Sequence, residues 1–159
     1  MYIRPTKSTK IEELKIPRCR GIVIESSYQA KPKGYDNELY LKEEPWQPVK
    51  FDFKMVTLLR ERTKLPVIVR GVTSGVDTMK AVASGATAVW VHSNTPGAAS
   101  PISVLRNVVY TLRGNHMMTE VFFSGGIRRG TEVMKAIAIG ANAVFLDEET
   151  PLWGLHHSG

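Results

Sequence analysis

Short apolar runs alternate along this chain with longer segments whose apolar positions recur at helical spacing. The apolar runs predict five buried strands: Gly21 to Glu25, Val67 to Val69, Ala88 to Val91, Val121 to Phe123 and Ala143 to Leu146. The amphipathic segments predict four helices: Phe51 to Thr63, Ser74 to Ala83, Pro101 to Arg113 and Thr131 to Ile139. Near-continuous apolar strands that alternate with helices indicate an α/β fold whose parallel sheet is covered on both faces.

An internal repeat adds to this pattern. Residues 81–91 match residues 136–146 position by position, and each copy is a helix end, a glycine and a buried strand. Such repetition is typical of an open doubly wound sheet or of a (β/α)8 barrel. A complete barrel needs about 200 residues or more, so 159 residues predict a partial TIM barrel of about five strands and four helices.

Two segments lack a sustained period. Residues 1–20 predict an irregular lead-in with one helical turn near Ile11 to Leu14, and residues 26–49 predict a long loop. We interpret residues 1–159 as a single partial domain. The first and last strands of a partial barrel are open edges, so we expect a second copy, a partner chain or the loop around Tyr40 to cover them.

Composition narrows the functional classes. Hydrophobic residues make up 43% of the chain, enough for a core, and the net charge is +6. The lysines and arginines are scattered, which favours a solvated surface or a small-anion site over nucleic-acid binding. The one cysteine, Cys19, excludes an internal disulfide framework. No apolar run is long enough to span a membrane or to form a secretory signal. This predicts a location in the cytoplasm or in the peroxisome, although the sequence shows no C-terminal peroxisomal signal.

Candidate chemistry lies where predicted strands end, because the working loops of parallel α/β folds follow the carboxyl ends of strands. Ser124, Gly125, Gly126 and Arg128 form a glycine turn that could bind phosphate or could be only a tight turn beside solvated arginines.

Two further residues end apolar strands, and each has a functional and a purely structural interpretation. Arg70 could face an anion or an electron-rich ring, or could be a solvated strand terminus. His92 could act as an acid or base, or as a structural hydrogen-bonding group. We predict no metal site, since His156 and His157 lack supporting ligands at suitable spacing.

Three motifs, in order and at matching spacing, resemble those of the FMN-dependent 2-hydroxy-acid oxidases, the family of glycolate oxidase and related lactate dehydrogenases. Residues 65–71 resemble the family's LPxxxKG strand, and residues 124–133 resemble its DGGxRxGxDV phosphate turn. Residues 151–155 resemble the segment that follows the last barrel strand. The similarity extends from about Met55 to Leu155 and corresponds to the C-terminal half of the barrel.

The resemblance implies a (β/α)8 barrel that oxidises a small L-2-hydroxy acid to a 2-oxo acid with FMN. Arg70 would replace the lysine beside the flavin ring, whereas Gly126 and Arg128 match phosphate-binding positions. A histidine takes the hydroxyl proton in the family, and arginines hold the substrate carboxylate.

Several positions depart from the family pattern. The family has an SNHGxRQ loop that carries the catalytic histidine, and in this chain that loop is shorter. Asn94 or Thr95 stands at the position of the histidine, and the arginine of the loop has no counterpart. Ser124 replaces the aspartate that orients the base. Residues 147–148, Asp-Glu, replace a Gly-Arg pair. The sequence therefore predicts either an oxidase in which His92 substitutes for the base, or a truncated, inactive paralogue that acts as a binding or interaction protein.

Overall fold

The structure is a computed structural model that describes residues 1–3, 20–26, 51–92 and 99–146. These residues form one parallel six-stranded sheet, whose strands lie in the order of the sequence. The elements are β1 (Tyr2–Ile3), β2 (Ile22–Glu25), α1 (Lys54–Arg62), β3 (Val67–Val72), α2 (Gly75–Ala83), β4 (Ala88–Val91), α3 (Pro101–Gly114), β5 (Glu120–Ser124), α4 (Gly130–Ile139) and β6 (Ala143–Phe145).

The five strands and four helices predicted from the sequence are confirmed, and the structure adds β1. Tyr2 pairs with Val23 in parallel, and the N-terminal ammonium group donates to the Gly21 carbonyl at 2.9 Å. A two-residue strand is too short to show a period, so the prediction of an irregular lead-in was wrong at this point. The predicted turn at residues 11–14 and the long loop beyond Ser26 lie outside the described residues.

The two faces of the sheet have different surroundings. One face is buried against the helices, with Leu59, Leu105 and Val108 among the fully buried helical residues. On this face lies every second residue of each strand: Ile22, Ile24, Val67, Val69, Val89, Val91, Val121 and Phe123. The second face, called the open face below, carries Val23, Ile68, Trp90, Phe122 and Phe145, which are half-buried or exposed. Within the described residues the helices cover one face, and not the two that the pattern predicted.

The two copies of the internal repeat share two backbone hydrogen bonds, donated by Ala86 and Thr87 in the first copy and by Ala141 and Asn142 in the second. Gly85 and Gly140 follow the helices with positive φ values of 95° and 129°, a conformation that glycine adopts without strain. The next strand is then tied to its neighbour: Thr87 N–H donates to the Val67 carbonyl at 2.8 Å, and Asn142 N–H donates to the Val121 carbonyl at 2.7 Å. The repeat is therefore a repeated helix-to-strand connection. No helix in the described ranges is long and apolar enough to cross a bilayer.

Candidate functional site at the carboxyl edge

The carboxyl ends of β2 to β5 form one edge of the sheet, called the carboxyl edge below. Arg70 and Trp90 are in register across β3 and β4, and Glu25 is in register with Arg70 across β2 and β3. The strand pairing thus brings together residues that are far apart in sequence. Arg70 and His92, two of the sequence-predicted candidates, both lie at this edge.

A buried ion pair joins the first two strands of the edge. The Arg70 guanidinium is hydrogen-bonded to the Glu25 carboxylate, and the side chains expose 14% and 2% of their surface. The Arg70 Cζ atom lies 5.2 Å from the centre of the Trp90 ring, within range of a cation–π interaction. Arg70 is therefore mostly buried in an ion pair and is not a solvated strand terminus, and its contact with a ligand stays a prediction. Sequence reasoning did not select Glu25, although it ends an apolar strand with the opposite charge.

Trp90 makes contacts through its ring and through its polar end. Phe145 stacks on its ring at 4.3 Å with an interplanar angle of 29°, and the Arg70 guanidinium also lies over the ring. The indole N–H donates to Ser124 Oγ at 2.9 Å. Trp90 thus links the Arg70 ion pair to β5, and its ring is part of the open face.

His92 and Ser124 form a buried pair beside Trp90. The distance from His92 Nδ1 to Ser124 Oγ is 2.9 Å, and the two residues expose 3% and 0% of their surface. The structure therefore gives Ser124 two hydrogen-bonding partners within the protein, and its predicted cofactor contact stays a prediction. Asn94, Thr95 and the rest of the shortened loop lie outside the described residues, as do Asp147 and Glu148.

The glycine turn, residues 124–130, connects β5 to α4. Gly125 and Gly126 have φ values of 104° and 71°, in the region that favours glycine. Gly126 is exposed, and a Cβ built on it would meet no atom within 4 Å. The Arg128 side chain is also exposed. The turn therefore presents an open backbone surface with a cationic side chain close by in sequence.

Glu132 caps the helix that follows this turn. Its carboxylate accepts hydrogen bonds from the backbone N–H groups of Arg128 at 2.5 Å and Arg129 at 3.0 Å. These bonds lower the pKa of Glu132, that from Arg128 most strongly. The N–H groups of Arg128 and Arg129 are thus occupied by the chain's own carboxylate, and phosphate binding at the glycines of the turn stays a prediction. The phosphate-turn motif resembled here has an acidic residue at this position too.

The chain is similar to a known protein family. Residues 14–159 match the FMN-dependent dehydrogenase family. The chain belongs to this family. Among its relatives, 2-hydroxyacid oxidase 1 of Mus musculus is 38% identical over 108 residues, which are 65% of this chain and 28% of that protein. The L-lactate oxidase of Nostoc is 37% identical over 105 residues, which are 64% of this chain and 28% of that protein.

A solved structure shows the same relation in three dimensions. The crystal structure of mandelate oxidase with (S)-2-phenylpropionate superposes with a TM-score of 0.67 at 27% identity, covering 89% of this chain and 45% of that chain. The matched region therefore spans less than half of these relatives. The sheet is a partial TIM barrel, and the open face corresponds to the barrel interior, because the helices of such barrels form an outer ring.

FMN is the cofactor that this family implies, and the described residues fit it at two points. The open surface at Gly126 leaves room for a phosphate to approach the backbone, and the exposed Arg128 supplies a positive charge. Arg70 lies at the same sheet edge, where its guanidinium is paired with Glu25. The Glu132 carboxylate opposes a phosphate electrostatically, but it is engaged by two backbone N–H groups and fixes the turn in its open shape.

Proposed function

We propose that this chain binds FMN along its carboxyl edge and takes part in the oxidation of a small 2-hydroxy acid to a 2-oxo acid. The observation that carries the proposal is the open surface at Gly126 beside the exposed Arg128, at the edge where Arg70 and His92 also lie. Family membership supports the cofactor, and the names of the relatives support the substrate class.

The phosphate of FMN would lie against Gly126 and pair with the Arg128 guanidinium. A guanidinium has the fork of donors that phosphate oxygens accept, and a backbone without Cβ lets the phosphate approach closely. Arg70 would lie beside the ring system, at the position where the family resemblance places a cation. When bound, FMN supplies the acceptor for the hydride that leaves the substrate.

His92 is the residue of the edge that could take the hydroxyl proton of the substrate. Its Nδ1 atom lies 2.9 Å from Ser124 Oγ, which orients the ring, and imidazole is the side chain best suited to proton transfer near neutral pH. Ser124 is a positioning residue in this scheme. The predicted loop positions Asn94 and Thr95 carry no imidazole, which leaves His92 as the proposed base.

The experiment is a titration of the purified chain with FMN, followed by anaerobic addition of glycolate or L-lactate. The proposal expects flavin binding and then loss of the visible flavin absorbance as the hydroxy acid is oxidised. His92→Gln should bind FMN but be reduced at least 100-fold more slowly, the usual contribution of a general base. His116→Gln, a substitution of an exposed histidine, is the matched control and should leave the rate unchanged. Equal rates for the two variants would refute the role of His92.

A second candidate function is a binding protein without catalysis, as expected of an inactive paralogue. The observation in its favour is the pairing of His92 with a neutral hydroxyl that also accepts the Trp90 N–H. A carboxylate at this position would stabilise the imidazolium formed during proton transfer, whereas a hydroxyl does so weakly. FMN binding without reduction by any 2-hydroxy acid would favour this alternative.

The predicted partner covers the open edges of the sheet, and β6 is one of its two edge strands. The open face next to β6 presents the rings of Trp90, Phe122 and Phe145, the last 40% exposed. We propose that a second copy or another chain packs against this edge. A location in the cytoplasm or peroxisome stays a prediction.

A further inference from the structure

Glu25 contributes to the charge at the Arg70 end of the carboxyl edge together with Arg70 itself. The Glu25 carboxylate and the Arg70 guanidinium are in direct contact, and the Glu25 side chain is 98% shielded from solvent, with 2% exposed. Opposite unit charges at contact cancel most of each other's field at distances beyond the pair. Glu25 therefore offsets part of the positive charge of Arg70 in the region next to the pair.

We propose that Glu25 is a positioning residue that holds Arg70 and reduces the affinity of this edge for a negatively charged ring. This inference rests on the proposed function, because the ring in question is that of FMN. A reduced flavin ring carries negative charge, whereas the oxidised ring is neutral. A free cation beside the ring would favour the reduced form, and a cation neutralised by Glu25 favours it less.

The geometry gives Glu25 a second effect on Arg70. The guanidinium is held between the carboxylate and the Trp90 ring, 5.2 Å from its centre. Ser26 adds a further tie, since its Oγ and its backbone N–H both donate to the Arg70 carbonyl, at 2.8 and 2.7 Å. Arg70 is therefore fixed at its backbone and at its charged end, and Glu25 is one of the groups that orient the guanidinium.

The test compares Glu25→Gln with the wild type. Glutamine keeps the shape of glutamate and removes its charge, so the preference for reduced over oxidised FMN should rise about 10- to 100-fold. For a two-electron couple this corresponds to a midpoint potential about 30 to 60 mV more positive. Glu120→Gln is the matched control, because it removes the same charge from an exposed position at the opposite end of β5. Its midpoint potential should equal that of the wild type.

A second variant separates charge from folding. Circular dichroism first establishes that each variant is folded, because removing one partner of a buried pair destabilises a protein. If Glu25→Gln does not fold, Arg70→Gln is measured instead. It leaves the carboxylate without its cation and should shift the potential in the negative direction. An unchanged potential in the folded variant that is measured would overturn the inference.

The outcomes distinguish this inference from the proposed function. Wild-type protein that binds no FMN would contradict the proposed function for this chain. If Glu25→Gln then does bind FMN, the suppressing role of Glu25 is supported, and if it also binds none, that role is refuted. Wild-type binding with an identical potential in Glu25→Gln would leave the proposed function intact and refute the inference alone.

Discussion

The unequal faces of the sheet lead to a quantitative prediction about two phenylalanines on neighbouring strands. Phe123 on β5 is 1% exposed beneath the helices, whereas Phe145 on β6 is 40% exposed on the open face. Replacing each by alanine removes the same atoms from different surroundings. The comparison therefore measures how far the open face is covered in solution.

The magnitudes follow from burial. Phe123→Ala should cost about 3–5 kcal/mol of unfolding free energy, since it removes a buried ring and leaves a cavity. Full burial of a phenylalanine contributes about 1.5–3 kcal/mol, and Phe145 buries about three-fifths of its surface, the complement of the exposed 40%. Loss of its stacking on Trp90 adds about 0.5 kcal/mol or more. Water can enter the open face, so no closed cavity forms and Phe145→Ala should cost about 2 kcal/mol.

Urea unfolding followed by circular dichroism would measure both variants against the wild type. The account predicts a lower midpoint for each, with Phe123→Ala shifted about twice as far and the slope of the transition unchanged. Equal shifts for the two variants would refute the reasoning. They would mean that another chain or another part of this chain already covers Phe145.

Two further predictions concern the glycine turn and the repeat. The pKa of Glu132 in the folded protein lies below the ordinary 4.5, so the ionised carboxylate stabilises the fold above that pH and this contribution is lost as the pH falls through the folded pKa. Glu132→Gln should therefore lose less unfolding free energy on acidification than the wild type does. Identical pH profiles of unfolding for the two proteins would contradict the cap. Asn142 Oδ1 accepts the Val121 N–H at 2.8 Å, whereas Thr87 Oγ1 accepts the Val67 N–H at 3.3 Å. Asn142→Ala should thus cost about 1 kcal/mol and Thr87→Ala less in thermal unfolding, and the reverse order would show that these bonds do not determine the cost.

Most elements of the fold follow from local pattern. An apolar run such as Val67 to Val69 and the helical spacing of Met55, Leu58 and Leu59 depend on neighbours in sequence, and they predicted the element types correctly. The two-residue β1 carries too few residues for any period. The sequence also did not predict that, within the described residues, helices cover one face of the sheet, because a strand that faces helices on one side and a barrel interior on the other is apolar on both sides.

The sequence predicted where the candidate residues lie in the fold better than it predicted which residues they contact. Strand ends placed Arg70, His92 and Ser124 at one edge, because parallel strands end together. The Glu25 ion pair and the hydrogen bonds of Ser124 with Trp90 and His92 depend on register between strands 30 or more residues apart in sequence, with separations of 45, 34 and 32. The cap by Glu132 had a local signal in the sequence, an acidic residue in the first turn of a helix.

The most direct test of the central claim compares the binding of FMN and riboflavin, which differ by the phosphate. The account predicts that wild-type protein prefers FMN and that Arg128→Ala weakens FMN binding about tenfold, the loss of one charge-assisted hydrogen bond, while riboflavin binding is unchanged. Arg106→Ala, which removes an exposed arginine on α3, is the matched control and should bind both as the wild type does. Equal affinity of the folded wild type for FMN and riboflavin, or binding of neither, would contradict the claim that this turn holds a flavin phosphate.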